Sequence, residues 1–444
     1  MSTAADVPDV LALRACGARA FCTDVSLTPT LSPFRGEGWG EGNEAAMSTP
    51  TLLLPTRGGA LQSYTMRAPV AWPAPTGAPH WNRVAFAAAH VVADPRADHD
   101  PWLAAAVDWD TTLAFRRHLW SLGFGVAEAM DTAQRGMGLD WPTSLELIRR
   151  SVAEARGAPG AVVFSGAGTD HLPAGADATL ERVVAAYEEQ CAAIEDAGGR
   201  IILMASRALA ACARSPDDYA TVYARVLAQV RAPVILHWLG EMFDPALAGY
   251  WVGAGGLASD PDHARATEVC AAVIRANAAK VDGVKVSLLD ADKEIALRRL
   301  LPPGVRMYTG DDFNFAALIG GDASGHSDAL LGIFAAIAPA ASAALTALAV
   351  GDRARFDAIL APTVPLSRHV FAAPTRFYKT GVVFMAWLNG HQSHFTMVGG
   401  QESARSVVHL ADLFRLADAA GLLRDPGLAA ARMRTYLALH GIDA

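Results

Sequence analysis

Between residues 83 and 339 short apolar runs alternate with amphipathic segments, and few folds accommodate that alternation. The runs occupy residues 84–92, 123–129, 161–166, 200–205, 233–239, 281–288, 305–309 and 330–334. The segments between them carry apolar residues at helical spacing, as in 111–120, 142–154, 179–197, 216–230 and 261–279. Short strands separated by helices must run parallel, because each helix carries the chain back to the start of the next strand. About eight such units in about 250 residues is the size of a (β/α)8 TIM barrel. The expected class is therefore α/β, with a doubly wound open sheet as the alternative. The first run is not followed by the GxGxxG turn of a dinucleotide-binding sheet.

The flanks read differently. Residues 1–46 hold a run of turn-forming residues without periodicity, Leu27-Thr28-Pro29-Thr30-Leu31-Ser32-Pro33 and then Arg35-Gly36-Glu37-Gly38. That run resembles a translated bacterial intergenic repeat, so the expected start of the protein is Met47. Asp6, Asp9, Arg14 and Arg19 interrupt any apolar core of a signal peptide. Residues 47–82 read as a short β-hairpin turning at Arg57-Gly58-Gly59, followed by a proline-rich linker over 69–79. Residues 83–339 are the expected barrel, with an extra loop between Leu239 and Val281. Residues 340–444 read as a helical C-terminal extension, with helices over 340–350, 352–360, 378–389, 403–420 and 426–439.

Composition narrows the partners. Hydrophobic residues make up 52% of 444, enough for a large core. Lys plus Arg is 37 against 45 Asp plus Glu, a net charge of −8 that disfavours nucleic acid and anionic membranes. The five cysteines show no CxxC pairing, which fits a reducing cytoplasm and offers no zinc site of ordinary spacing.

The chemistry is expected where barrel strands end. In Val281-Asp282-Gly283-Val284-Lys285-Val286-Ser287-Leu288, alternation puts Val284, Val286 and Leu288 on one face. Gly283, Lys285 and Ser287 share the other, so an amine sits beside small residues that leave room for a ligand. An amine kept from water gives up its proton more readily and can attack a carbonyl. Other strand ends also carry polar groups: His90 and Asp94; Glu128, Asp131 and Thr132; Ser165 and Thr169; Ser206 and Arg207; His237; Tyr308, Gly310, Asp311 and Asp312. Their convergence is the signal for a site.

Gly283-Val284-Lys285, Thr309-Gly310-Asp311-Asp312 and Ala335-Ala336-Ile337-Ala338-Pro339 resemble, in order and spacing, stretches of the dihydrodipicolinate synthase/N-acetylneuraminate lyase superfamily. Gly166-Ala167-Gly168-Thr169 is similar to its Gly-Thr-Gly turn, and Tyr378-Lys379-Thr380-Gly381 to the start of its C-terminal helix. The resemblance implies a (β/α)8 barrel with a helical extension, assembled as dimers or tetramers, and class I aldolase or lyase chemistry without a cofactor. Lys285 would form a Schiff base, and Asp311 and Asp312 would hold the substrate's tail.

The chain departs from that pattern at two places. Leu236-His237-Trp238 stands where the family carries a proton-relaying tyrosine, leaving His237 or Tyr308 to move the proton. Glu128-Ala129-Met130-Asp131-Thr132 replaces the family's carboxylate-binding turn. Two carboxylates there would favour a neutral sugar, polyol or keto-sugar over a keto acid. Ser206 and Arg207 would complete the substrate contacts, although Arg207 also reads as a surface ion pair. A divalent metal held by some of His90, Asp94, Glu128, Asp131, His237, Glu241 and Asp290 is an alternative, as in metal-dependent sugar isomerases and aldolases. A non-catalytic sugar-binding barrel is another. Trp102, Trp109, Trp120 and Trp141 read as core or lid aromatics, His391 and His394 as helix-end residues, and Lys379 as a helix-start lysine near an interface, with a second functional lysine as the alternative.

Overall fold

The computed structural model describes residues 49–443, except 74, 76, 78 and 254–259. The expected start at Met47 lies outside them. Within them the chain begins with an antiparallel hairpin, β1 (Thr51–Pro55) and β2 (Leu61–Thr65), registered Thr51↔Thr65. Eight further strands follow: β3 (Ala85–Ala88), β4 (Gly125–Glu128), β5 (Val163–Ala167), β6 (Arg200–Leu203), β7 (Val234–Leu239), β8 (Val281–Ser287), β9 (Arg306–Thr309) and β10 (Asp328–Leu331). Each pairs in parallel with its neighbours in chain order, and β10 pairs with β3, so the sheet is a closed barrel rather than an open one.

The helices between strands are α1 (Trp109–Ser121), α2 (Trp141–Arg156), α3 (Leu180–Asp196), α4 (Arg207–Cys212), α5 (Pro216–Gln229), α6 (Asp260–Ala276), α7 (Ala291–Arg298) and α8 (Phe315–Gly320). Then come α9 (Phe334–Ala349), α10 (Arg353–Leu360), α11 (Thr363–Val370), α12 (Tyr378–Leu388), α13 (Val407–Ala419) and α14 (Pro426–Leu439). Most starts are capped by side chains that satisfy free N–H groups. Asp108, Asp140 and Thr179 accept from the amides of Thr111, Thr143 and Arg182.

The inner face of the barrel is filled by Phe86, Ala88, Ala127, Phe164, Ile202, Ile235, Tyr308 and Leu330. The outer face packs Val126, Val163, Ile201, Leu203, Leu236, Val284 and Val286 beneath helices. The hairpin is not a free appendage. Leu52 and Leu54 share a core with Leu410, Phe414, Ala430 and Leu437 of the last two helices, and Tyr64 donates a 2.7 Å hydrogen bond to Asp418.

Four short helices, α4, α7, α8 and α11, were given no range from the sequence, although the barrel pattern calls for a helix where α7 and α8 stand; each is six to eight residues long, too short for a clear period. The helix expected from residue 340 begins at Phe334. Pro339 reads as a barrier, but the backbone already leaves helical geometry at Ile337 (φ −119°, ψ 18°). The proline thus sits just inside a renewed helical run, where its missing N–H costs little.

Candidate active site

Lys285 is in the middle of β8, level with His237 on β7 and Tyr308 on β9. It is 4% exposed. Among the described residues it makes no hydrogen bond and no ion pair. Glycines make its space. A Cβ at Gly310 would lie 2.7 Å from Lys285 Cε and 2.3 Å from Ser287 Oγ, and one at Gly283 would lie 2.6 Å from the Tyr308 ring. Side chains at either position would collide with the amine's stem or its neighbour.

Asp131 comes from the single 3-10 turn after β4, where Ala129 adopts φ 50° and Gln134 φ 64°. These left-handed conformations at non-glycine residues are held by the packing around them. Burial alone would raise the Asp131 carboxyl. The Lys285 charge first, then the His237 ring, the Lys379 charge and a hydrogen bond from Tyr378 outweigh it and hold it at about 2. It is a permanent anion facing the lysine. His237 behaves oppositely: burial, then the Lys285 charge, push it well below the ordinary imidazole value against the pull of Asp131. Its Nε2 lies 3.2 Å from Ser287 Oγ. Burial pushes Asp312 up to about 8, assisted by Asp311 and Asp131 and opposed by the Ile333 amide and Lys285. The Ile333 N–H donates to its Oδ1 at 2.9 Å. The group around Lys285 thus holds one fixed carboxylate, one neutral imidazole and one carboxylic acid that titrates near neutrality.

Two members come from the C-terminal extension. Tyr378, at the start of α12, donates to Asp131 Oδ2 at 2.7 Å and lies 2.6 Å from Thr132 Oγ1. Its ring stacks on Phe371 (centroids 4.4 Å apart) and meets Phe243 edge-on at 6.0 Å. Gly332, beyond β10, gives it passage: a Cβ there would lie 3.2 Å from the Tyr378 ring and 3.5 Å from Thr132 Oγ1. Lys379 is 2% exposed, with Nζ 3.4 Å from Met137 Sδ. Burial lowers it to about 8, with Asp131 opposing. It stands in the first turn of α12, as expected, and is a second buried amine beside the same carboxylate. Tyr378 and Lys379 carried a family resemblance in the sequence; no local pattern placed them against Asp131.

A cavity of about 290 Å³ opens next to this group, lined by Asp131, His237, Thr169, Arg135, Arg207 and Asp244 among others. Lys285 is not on its wall; Asp131 and His237 are, and both interact with the lysine's charge. Arg207 is ion-paired with Asp244 at the cavity, and Arg135 with Asp170 at 2.8 Å. Ser206 caps α4 and hydrogen-bonds Thr169 at 2.6 Å behind the wall.

Three expected site residues lie elsewhere. Glu128 shares a face with Val126, not Ala127, and so points into the helix layer. There Arg116 grips it in two 2.8 Å bonds, and Ser151 adds a third at 2.6 Å. Tyr308 does face inward, but its hydroxyl reaches back to Asp282 Oδ2 at 2.6 Å, at the start of β8. Burial and Asp282 raise its pKa, so it is a poor relay. Asp311 is a turn residue, accepting from the Phe313 and Asn314 amides at 2.8 and 3.0 Å. The residues considered for a metal are dispersed as well. Glu128 is bound to Arg116, His90 Nε2 lies 3.1 Å from Gln392 Oε1, and Asp290 caps α7. Among the described residues no group of three or more His, Cys, Asp or Glu is placed to hold a metal ion. Trp141 is buried, but Trp102 is 83% exposed and belongs to no core.

The fold is similar to that of solved structures of dihydrodipicolinate synthases. A prophage protein of the dihydrodipicolinic acid synthase family from E. coli K12, in complex with pyruvate, aligns with a TM-score of 0.58 at 13% identity, over 77% of this chain and 99% of its own. Dihydrodipicolinate synthases from Aquifex aeolicus (TM-score 0.57, 12% identity, 77% and 99%) and Thermotoga maritima (0.55, 14%, 78% and 100%) align similarly. No curated protein matches the sequence. The chain belongs to the family described as "Protein of unknown function (DUF993)", whose model matches residues 52–442. No helix among the described residues is long and apolar enough to cross a membrane.

Proposed function

We propose that the protein is a class I lyase or aldolase in which Lys285 condenses with the carbonyl of a small, hydroxyl-bearing substrate. The observation that carries this reading is a buried lysine with no oxygen partner among the described residues, beside a cavity and surrounded by groups suited to moving protons. The amine attacks the carbonyl carbon, and the carbinolamine loses water to leave an iminium. Electrons from the breaking C–C or C–H bond flow into the iminium to give an enamine; protonation at carbon restores an iminium, and addition of water to it releases the product and Lys285. Asp131, fixed as an anion, stabilises the iminium's positive charge. Asp312, titrating near 8, serves as the acid that protonates the departing hydroxyl, with His237 as the neutral acceptor.

The Asp131 anion disfavours a carboxylate next to the reacting carbonyl, which supports a sugar-like substrate over a keto acid. Arg207 and Thr169 on the cavity wall would take its hydroxyls. Entry to the amine passes Asp131 and His237, so these side chains must turn aside on binding. Borohydride reduction in the presence of dihydroxyacetone or pyruvate, followed by peptide mass analysis, tests the reading. An adduct on Lys285 is expected, larger with dihydroxyacetone, and absent in Lys285→Arg. An unmodified Lys285 with tight sugar binding would favour a non-catalytic barrel, and loss of turnover in EDTA would favour a metal. A dimeric or tetrameric state belongs to the same proposal by analogy, and sedimentation velocity tests it.

A further inference from the structure

A second cavity, of about 110 Å³, lies between α1, α9, α12 and the turn joining α13 to α14. His118, His391, Arg424 and Asn389 bring polar groups to it, and no carboxylate lines it. The two imidazoles face each other with centroids 4.5 Å apart, and both contact the Phe115 ring. Neither imidazole has a hydrogen bond among the described residues, and the Arg424 guanidinium has neither hydrogen bond nor ion pair there. Asn389 is already committed, accepting from the Arg424 amide at 3.0 Å and donating to the Met385 carbonyl at 3.2 Å. Arg432 and His90 add positive or potentially positive charge nearby.

We propose that this cavity is a binding site for a small oxyanion, a phosphate group being the ligand class. Three nitrogen-bearing side chains with unused donors converge on a space far below the roughly 300 Å³ of an ordinary small-molecule pocket. A guanidinium and imidazoles match phosphate oxygens, whereas a metal ion would meet an arginine and no carboxylate. The electrostatics agree. Burial and then Arg424 hold His118 down at about 4. Burial, His118, Arg424, His90 and Arg432 hold His391 at about 3. These groups repel one another's protons, and a bound anion removes that conflict. Binding therefore takes up protons and tightens as pH falls.

The test is calorimetric titration of the full chain with inorganic phosphate and with glycerol phosphate, at pH 8 and pH 6, in buffers of different ionisation enthalpy. Saturable binding is expected, at least several-fold tighter at pH 6 and coupled to proton uptake. It should weaken about tenfold or more in His118→Gln and in Arg424→Gln, the latter an exposed side chain whose loss leaves the fold intact. It should persist in Lys285→Ala, so the site stands or falls separately from the Schiff-base reading. Preference between the two ligands tells a metabolite from the free ion. Absence of saturable binding at pH 6, or unchanged affinity in both variants, overturns the proposal.

Discussion

Glu128 and Asp131 are carboxylates at the end of β4, separated by two residues, the first buried and the second half-buried on the cavity wall, and their surroundings differ completely. Glu128 lies between sheet and helices, where Arg116 and Ser151 use both of its oxygens. Asp131 lies inside, with Oδ2 held by Tyr378 and, among the described residues, Oδ1 without a hydrogen-bond partner and no ion pair to the charges it faces. A closed, fully bonded pair holds structure; an anion with spare lone pairs beside an unpaired amine is available for chemistry. Being polar at a strand end does not distinguish them. The face on which the side chain leaves the strand, and whether its bonding capacity is used up, does.

Four substitutions would break or sharpen that contrast. Asp131→Asn should cut the initial rate of borohydride trapping on Lys285 by on the order of 10²–10⁴-fold, with a fall in Tm at neutral pH smaller than that of Arg116→Met, because it removes the anion that the site's charges favour and leaves the core packing intact. Arg116→Met should do the reverse. It strands Glu128 without a partner and should cost about 3–5 kcal/mol in denaturant unfolding, while trapping per folded molecule is preserved. Gly310→Ala should cost about 1–3 kcal/mol and also suppress trapping, since the new methyl occupies the lysine's path.

The smallest effect is one of pH. Glu294, between α7 and the barrel, accepts from Ser327 at 2.7 Å, and burial pushes it up to about 8. Asp312 is raised to the same level. Both keep protons in the folded chain that unfolded carboxyls release near pH 4. Their contribution is complete below that pH and is lost as pH climbs through about 8. Glu294→Gln should therefore flatten the decline of Tm between pH 5 and 8. Asp131 works the other way, its contribution being present above about pH 4 and lost as pH falls through about 2. An unchanged Tm–pH slope in Glu294→Gln would mean that the glutamate is ionised in the fold.

The barrel was legible in the sequence because each strand is a short apolar run between helices, a pattern that survives without knowledge of any contact. All eight runs became strands, although several end earlier; the run from residue 84 stops at Ala88, two residues before His90 meets Gln392. Lys285 was legible because alternation on β8 could be counted. The same count on β4 puts Glu128 with Val126 on the outer face, so that error had a remedy in the sequence. Tyr308 had none of that kind. It is on the inward face, but a tyrosine is long enough to lean toward either end of a barrel, and Asp282 decides which. Tyr378 was out of reach for another reason: it meets Asp131 from 247 positions away, across a contact made by folding alone.

That last contact has a consequence for synthesis. The eighth barrel strand ends at Leu331, but Tyr378 arrives almost fifty residues later. A ribosome releasing this chain from its N-terminal side therefore delivers every wall of the chamber before the tyrosine that steadies its charge. Until α12 emerges, Asp131 lacks its hydroxyl donor and the notch at Gly332 stands unfilled.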